Sequence, residues 1–158
     1  MDIALVYSQE LQAFNLLVQD GKILTEEGLR TAVVLSLFTD ARALADDDIP
    51  SGDQDPRGWW GDAYAQVPGD RIGSRLWLLS RSKKLPRTAQ EAKSLAEEAL
   101  AWLVQDRIAS SVSVEAVLEP RGAVTDLSLG VKVYRPGLAP STYRFQNLWT
   151  AEARRGTD

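Results

Sequence analysis

Cysteine and histidine are both absent from the 158 residues of this chain. Their absence excludes disulfide bonds, thiolate nucleophiles, zinc sites built on Cys or His, haem ligation through His, and the Ser-His and Cys-His catalytic arrangements. What remains for catalysis is carboxylates, Lys, Tyr and Ser, or a hard cation held by oxygen ligands. Few enzyme chemistries therefore remain, and we expect no cofactor and no enzymatic activity.

An excess of basic residues and long apolar runs are also missing. Lys and Arg total 18 against 22 Asp and Glu, so the net charge is −4 and there is no general attraction for phosphate backbones or anionic lipid. Apolar stretches such as residues 31–38 fall far short of the roughly 20 residues that cross a bilayer, and residues 1–10 lack the basic region and long apolar core of a secretory signal. We expect no nucleic-acid or membrane partner and assembly in the cytoplasm.

Length and composition indicate one globular domain. Hydrophobic residues make up 44% and charged residues 25% of the chain, which are the proportions of a folded protein. The chain is long enough to bury a single core. We predict one domain over residues 1–150 and a flexible tail over residues 151–158.

The first forty residues predict short strands followed by a helix. Residues 2–8 and 11–24 contain short apolar runs, and Asp20-Gly21 is a strong turn signal, so two or three strands are expected. Apolar residues then recur at helical spacing, which predicts a helix over residues 26–38, although its Val and Thr residues leave a strand open.

Residues 39–72 lose all periodicity and collect Asp, Gly and Pro. So long a segment without regular structure is usually functional or disordered, and its aromatic residues argue against disorder. At its centre the stretch DPRGWWGD, residues 55–62, places Trp59 and Trp60 between two glycines. Each ring must either be buried in the core or remain as exposed apolar surface that favours association. We expect one ring to fill the core beneath the loop and the other to be available to a partner.

Arginines flank these tryptophans along the chain, at Arg57, Arg71 and Arg75. Trp and Arg are the residues most enriched at interface hot spots. We therefore include Arg75 with Trp59 and Trp60 among the candidate partner-binding residues.

Residues 73–109 predict two helices separated by Pro86. Thr88 and Glu91 have the spacing of a capping box at the start of the second helix. That helix carries an apolar stripe that should face the core. The stripe comprises Ala92, Leu95, Ala99 and Leu103, with Ala96 and Leu100 beside it.

Three further segments alternate between apolar and polar residues, which is the period of a half-buried strand. Their short connections predict consecutive antiparallel strands. The fold class is therefore α+β, a small antiparallel sheet packed against two or three helices, with a long ordered Trp/Gly/Asp loop. The apolar positions of the strands are Val112, Val114, Ala116 and Leu118, then Leu127, Leu129, Val131 and Val133, then Tyr143, Phe145 and Trp149.

Two groups of carboxylates could carry chemistry. A pair of carboxylates could catalyse glycoside hydrolysis, for instance Asp70 together with either Glu10 or Asp62. Aromatic rings near this pair could stack on sugar rings. The other group could hold Ca²⁺ or Mg²⁺, but its spacing does not match a calcium-binding loop, so a solvated acidic loop is favoured and no metal is expected. Its members are Asp46, Asp47, Asp48, Asp53 and Asp55.

The stretch LEPRG, residues 118–122, predicts a loop between two strands. Pro120 cannot donate to a sheet ladder, and Gly122 permits positive φ. The alternative interpretation makes Glu119 and Arg121 a charged docking pair for a partner.

Four stretches together resemble the Mu-like phage baseplate protein family, a relative of the sheath-initiating wedge protein of T-even phages and of its type VI secretion counterpart. The likeness covers about residues 2–150, and RGWWGD and GSRLWLL in this order are its most specific parts. The stretches are GLRTAVVLSLFTDARA, DPRGWWGD, GDRIGSRLWLLSRSK and EALAWLVQDRIASSVSV. The resemblance implies a small α+β fold and a structural role in the baseplate of a contractile tail.

The resemblance also implies partners and docking residues. The partners would be other baseplate wedge subunits and the tail sheath protein, with several copies in each virion baseplate. The family's Glu-Pro-Arg docking element falls by position on Gln105-Asp106-Arg107, so the role is carried to Asp106 and Arg107. The last predicted strand, with Phe145 and Trp149, is the candidate sheet edge for a neighbour. Because some relatives are labelled lysozymes, a peptidoglycan hydrolase acting through a carboxylate pair is the alternative.

Overall fold

The computed structural model describes residues 2–3, 5–8, 13–16, 18–23, 25–26, 29–50, 54–83, 85–121 and 124–146. Glu10, Asp53, Trp149 and the predicted tail over residues 151–158 lie outside these described residues. Residues 51–53 also lie outside them, so an ordered loop over all of residues 39–72 stays a prediction.

Short antiparallel strand pairs occupy the described part of residues 2–26. Asp20 and Gly21 both have positive φ, as a two-residue hairpin turn requires, which confirms the predicted turn. Two or three strands were predicted here. The described residues of this region contain six, each of only two or four residues. The pairs are β1 (Asp2–Ile3) with β6 (Thr25–Glu26), β2 (Leu5–Ser8) with β3 (Ala13–Leu16), and β4 (Val18–Gln19) with β5 (Lys22–Ile23).

The first helix, α1, spans Arg30–Phe38 and begins later than residue 26, where the prediction placed its start. The backbone of Glu26 pairs with that of Asp2 in β1, so it is strand and cannot also form the first helical turn. Val33 and Leu37 are buried, as the helical spacing of apolar residues predicted. The prediction was therefore right about the helix and wrong about its first turn.

In the described part of residues 73–109 only one long helix forms, where two were predicted. The first prediction corresponds to a 3₁₀ turn, Leu76–Leu79, and the second to α2, Pro86–Leu100. Pro86 opens α2, a position where the missing N–H costs no hydrogen bond. The prediction of a capping box is wrong, because Thr88 lies inside the helix and its Oγ1 donates to the carbonyl of Lys83 at 2.7 Å.

The core lies between α2 and a three-stranded antiparallel sheet. Small side chains on the helix let it approach the sheet closely, and burying each large aliphatic side chain stabilises the fold by about 1.5–3 kcal/mol. The fully buried helix positions are Ala92, Ala96 and Leu100, continued by Leu103 in the short helix α3 (Trp102–Gln105), while Leu95 and Ala99 lie at the margin. The matching sheet positions are Leu127, Leu129, Val131 and Val133.

The sheet has the order β7-β8-β9, with β7 at Ser111–Arg121, β8 at Val124–Tyr134 and β9 at Ser141–Phe145. This confirms the three consecutive antiparallel strands and the α+β class. The loop predicted at residues 118–122 is wrong, because Glu119 and Pro120 are still paired with β8. Proline is tolerated there because, among the described strands, β7 pairs only with β8 and the missing N–H can face outward.

The end of the sheet also reaches α1. Phe145 packs edge-on against Phe38 with ring centroids 5.2 Å apart. The hydroxyl oxygen of Tyr143 accepts a hydrogen bond from the Leu29 amide at 3.0 Å. These contacts join the last described strand to the first helix across the length of the chain.

Candidate functional site

Arg57 holds the DPRGWWGD stretch onto the body of the fold. Its Nη1 donates to Asp40 Oδ2 at 2.9 Å, and its guanidinium carbon lies 4.4 Å from the centroid of the Trp77 ring. A guanidinium over an indole face is a favourable cation–π arrangement. Trp77 is itself buried, with 2% of its surface exposed, and its Nε1 donates to the Ala41 carbonyl at 2.8 Å.

Neither tryptophan of the stretch enters the core. Trp59 is 43% exposed and Trp60 is 75% exposed, so the expectation that one of them fills the core beneath the loop is wrong. Trp77, which lies in the following 3₁₀ turn, takes that place instead. The physical reason is that the stretch is held down by an arginine, which leaves both adjacent indoles on the outer side.

The glycines beside the two indoles have different roles. Gly58 has φ +112°, a conformation that L side chains rarely adopt. Gly61 has no such backbone requirement, but a Cβ there would overlap the Trp59 ring. The missing side chain at Gly61 therefore lets the Trp59 ring lie over the next turn of chain.

Three exposed aromatic rings form a continuous patch, which we call the aromatic ridge: Trp59, Trp60 and Tyr64. Trp60 and Tyr64 begin and end a 3₁₀ helix, Trp60–Tyr64. The ring centroids of Trp59 and Trp60 are 5.6 Å apart with the planes at 47°, and those of Trp60 and Tyr64 are 6.2 Å apart at 69°. Tyr64 is 78% exposed. So large an aromatic surface left in water is typical of a binding site.

A groove of about 470 Å³ opens beside the ridge, with Trp59 in its wall. We call it the acidic groove, because its polar lining includes three carboxylates, Asp62, Asp70 and Asp106, against one guanidinium, that of Arg71. Its apolar lining comprises Ala32, Leu35, Ala65, Ile72, Ala99 and Trp102. The groove thus joins α1, the end of α2, α3 and the segment around DPRGWWGD.

Backbone hydrogen bonds close the base of this segment. The Ala41 amide donates to the Ser74 carbonyl, and the Ser74 amide donates to the Thr39 carbonyl, each at 2.9 Å. Gly73, with φ +106°, passes so close to Thr39 that a Cβ would collide with its carbonyl. The amide of Ile72 donates to Asp62 Oδ1 at 3.2 Å, which ties the 3₁₀ helix to the far wall of the groove.

Arg75 is engaged inside the molecule. Its Nη1 donates to both carboxylate oxygens of Asp47 at 2.8 and 2.9 Å, and its Nη2 donates to Glu98 Oε2 at 2.7 Å. Burial lowers the pKa of Arg75, but the hydrogen bonds and charges of Glu98 and Asp47 outweigh it and raise the pKa above its ordinary value. Arg75 therefore joins the loop to α2, and its role as a partner-binding residue stays a prediction.

Asp106 and Arg107 directly follow α3, and Asp106 lines the acidic groove. The Ile108 amide donates to the Leu103 carbonyl at 2.9 Å and the Arg107 amide to the Val104 carbonyl at 3.1 Å, which is the Schellman pattern of a helix end. Arg107 occupies the left-handed position of this motif, with φ +59°, where glycine is usual. Both side chains are exposed, so the structure leaves them accessible to a partner.

Phe145 is only 7% exposed, because its ring packs against Phe38 in the core. Its side chain therefore has little surface to offer a partner, and any contribution of β9 to docking would come from the backbone edge. Trp149, the other candidate on this strand, lies outside the described residues.

Carboxylates of the acidic loop also accept hydrogen bonds within the protein. Asp47 accepts a hydrogen bond from the Leu44 amide as well as from Arg75, and Asp55 accepts one from the Arg57 amide. In the part of the chain that the structure describes, no three acidic side chains converge where they could hold a metal ion. None of the helices in that same part is long and apolar enough to cross a membrane.

Comparison with known proteins places the chain in a family. The family model "Phage protein GP46" matches residues 29–140, which is more than half of the chain. The chain belongs to the phage protein GP46 family. It is 52% identical over 101 residues to "Baseplate protein gp46" of Escherichia phage Mu, covering 63% of this chain and 68% of that protein. It is 36% identical over 136 residues to "Mu-like prophage FluMu protein gp46" of Haemophilus influenzae, covering 86% of this chain and 90% of that protein.

The part of the chain that matches the GP46 family model contains the aromatic ridge, the acidic groove and the Asp106–Arg107 pair. The sequence singled out Trp59, Trp60 and the pair but did not reveal the groove, which Trp59 and Asp106 line. Tyr64 counted only among the aromatic residues that argue against disorder of residues 39–72. Its four-residue spacing from Trp60 was a signal that the two rings could share one face of a helical turn.

Proposed function

We propose that this chain is a structural component of the baseplate of a contractile phage tail, a wedge subunit that initiates the sheath. The observation that carries the proposal is the 52% identity with the phage Mu protein named as a baseplate protein. Its partners are other wedge subunits and the tail sheath protein, and several copies assemble in each virion baseplate. The role rests on protein–protein contacts and needs no catalytic residue.

Free sheet edges support such contacts. Among the described strands, β7 and β9 each pair only with β8, so each has one edge without a partner strand. An extended segment of a neighbour can add to such an edge through main-chain hydrogen bonds. Pro120 near the end of β7 interrupts the donor row on that strand, whereas β9 carries no proline.

The Asp106–Arg107 pair supports a second contact. A non-glycine residue in the left-handed region costs about 1–2 kcal/mol, which exceeds the roughly 0.3–1 kcal/mol that a cation gains at a helix C-terminus. Among the described residues the Arg107 side chain has no ion pair. Strain kept at an exposed charged residue is the kind of feature that marks a binding site.

Co-purification with phage tails tests this proposal. A tagged copy of the chain, expressed while the phage assembles, should sediment with particles that contain sheath and wedge proteins. Arg107→Ala should remain folded and lose most of this co-sedimentation, whereas Arg87→Ala, an exposed arginine on α2, should retain it. Absence of the wild-type chain from purified tails would refute the proposal.

A peptidoglycan hydrolase is a second candidate because one observation favours it. Asp62 and Asp70, the carboxylates considered for glycoside hydrolysis, line the same groove beside Trp59. However, one oxygen of Asp62 already accepts the Ile72 amide. The purified chain should release no soluble fragments from peptidoglycan. Release that disappears in Asp70→Asn would favour the hydrolase over the assembly role.

A further inference from the structure

We infer that the acidic groove and the aromatic ridge together bind a protein segment in which arginine or lysine residues flank an aliphatic side chain. The inference rests on the proposed assembly role, since it names the chemistry of the segment that a neighbouring subunit would insert. The apolar floor, the carboxylates and the exposed rings each select one feature of that segment.

The floor of the groove selects an aliphatic side chain. Helix α1 contributes Ala32 and Leu35, α2 contributes Ala99 and α3 contributes Trp102, and we call these four apolar lining residues the floor. The groove volume of about 470 Å³ lies within the range of roughly 300–1,000 Å³ typical of binding pockets. The Nε1 of Trp102 already donates to Ser36 Oγ at 3.0 Å, so it is engaged within the protein. An apolar side chain therefore suits the floor better than a polar one.

The carboxylates select a cationic partner. Asp62, Asp70 and Asp106 line the same groove, and Arg71 is the one basic residue in the lining. Asp70 and Asp106 are exposed, so they attract cations at a distance and lose much of that attraction in high salt. An anionic segment would be repelled from the same surface.

The ridge favours a peptide over a glycan. Sugars stack best on flat aromatic faces, but the planes of Trp59 and Trp60 are inclined at 47° and those of Trp60 and Tyr64 at 69°. Rings inclined in this way can enclose a guanidinium or ammonium group, which gains cation–π energy from an exposed indole. The carboxylates next to the ridge would favour the same cation.

A set of short synthetic peptides tests the inference on the purified full-length chain. The probe carries leucines and arginines in an alanine-rich sequence. One control peptide has glutamate in place of arginine, and another has serine in place of leucine. The indole N–H resonances of the chain report where binding occurs, because Trp77 Nε1 is hydrogen-bonded to Ala41 in the interior and serves as an internal reference.

The probe should shift the Trp59 and Trp60 resonances and leave that of Trp77 in place. Both control peptides should bind at least about tenfold more weakly, and added salt should weaken the probe. Trp60→Ala should weaken it about three- to fivefold, as loss of an exposed cation–π contact does, and Asp70→Asn about threefold. Tyr134→Ala and Asp46→Asn, which replace exposed residues outside the groove lining, should have no effect.

Gly61→Ala separates the geometry of the ridge from its composition. The added methyl group occupies the space of the Trp59 ring and must displace it, while every aromatic and charged group of the site remains. Binding of the probe should weaken about as much as in Trp60→Ala. Unchanged binding in Gly61→Ala and Trp60→Ala together would overturn the inference.

The outcomes are distinct from those of the assembly test. Equal binding of the arginine and glutamate peptides, or shifts confined to other resonances, would overturn this inference even if the chain sediments with tails. Soluble peptidoglycan fragments that displace the probe would show a glycan site and also overturn it. A wild-type chain that binds the probe but is absent from tails would refute only the assembly role.

Discussion

The sheet-and-helix core and the DPRGWWGD segment follow opposite rules of burial. In the core, apolar side chains at regular spacing, such as Leu129 and Leu100, are fully buried. In the segment, the two largest apolar side chains are exposed, and a charged residue, Arg57, makes the inward contacts. Periodicity in the sequence therefore predicts burial only within a helix or strand, where residues at the repeat spacing point in the same direction. An irregular segment is oriented by its few specific contacts.

Replacing a buried and an exposed tryptophan with alanine should give the largest difference in stability between the two regions. Trp77→Ala should lower the free energy of unfolding by about 3–5 kcal/mol, as loss of a buried aromatic side chain does. Trp60→Ala should change it by no more than about 0.5 kcal/mol, because the ring is exposed. Urea denaturation of both variants measures the difference. Equal losses would show that Trp60 is buried and would remove the contrast between the two regions.

Removing Arg75 tests whether an internal ion pair stabilises the irregular segment. Arg75→Ala removes the two hydrogen bonds to Asp47 and the one to Glu98, and should cost about 1–3 kcal/mol. Because a guanidinium stays charged at all ordinary pH values, the loss should not depend on that group's titration. Arg71→Ala, an exposed arginine in the groove lining, is the matched control and should cost much less. Thermal unfolding of the two variants would show whether this ranking is wrong.

Relieving the backbone at Arg107 should raise stability while weakening assembly. Glycine adopts the left-handed conformation without steric cost, so Arg107→Gly should stabilise the fold by about 0.5–1 kcal/mol. The same variant should sediment poorly with phage tails, as Arg107→Ala does. A variant that is both more stable and fully assembled would leave the strain at residue 107 without a function.

The smallest expected change in stability comes from Gly61→Ala. Its φ is not in the left-handed region, and the group that must move is the outer part of a half-exposed ring. The free energy of unfolding should therefore change by less than about 0.5 kcal/mol. The Trp59 indole resonance should nevertheless shift. A loss of several kcal/mol would mean that the Trp59 ring cannot move and contributes to the fold.

Much of the regular structure was predictable from local pattern. The alternation around Leu129 and Val131 identified a half-buried strand, and the Asp20-Gly21 turn was identified from two residues. The end of β7 at Arg121 was not, because a proline in an edge strand and a proline in a loop have the same sequence signal. The first turn of α1 was also predicted wrongly, because Glu26 pairs with a strand that lies far away in sequence.

The candidate site was predictable in its residues but not in its arrangement. Trp59, Trp60 and Asp106 stood out by type and position, and the absence of cysteine and histidine removed many catalytic arrangements. The burial of Trp77, and not of Trp59 or Trp60, goes with the contacts that Arg57 makes with Asp40 and Trp77, which are distant from it in sequence. Likewise the acidic groove exists only because α1, α3 and the loop meet. Composition and periodicity are local properties of a chain, whereas burial, charge pairing and grooves are set by contacts between distant segments.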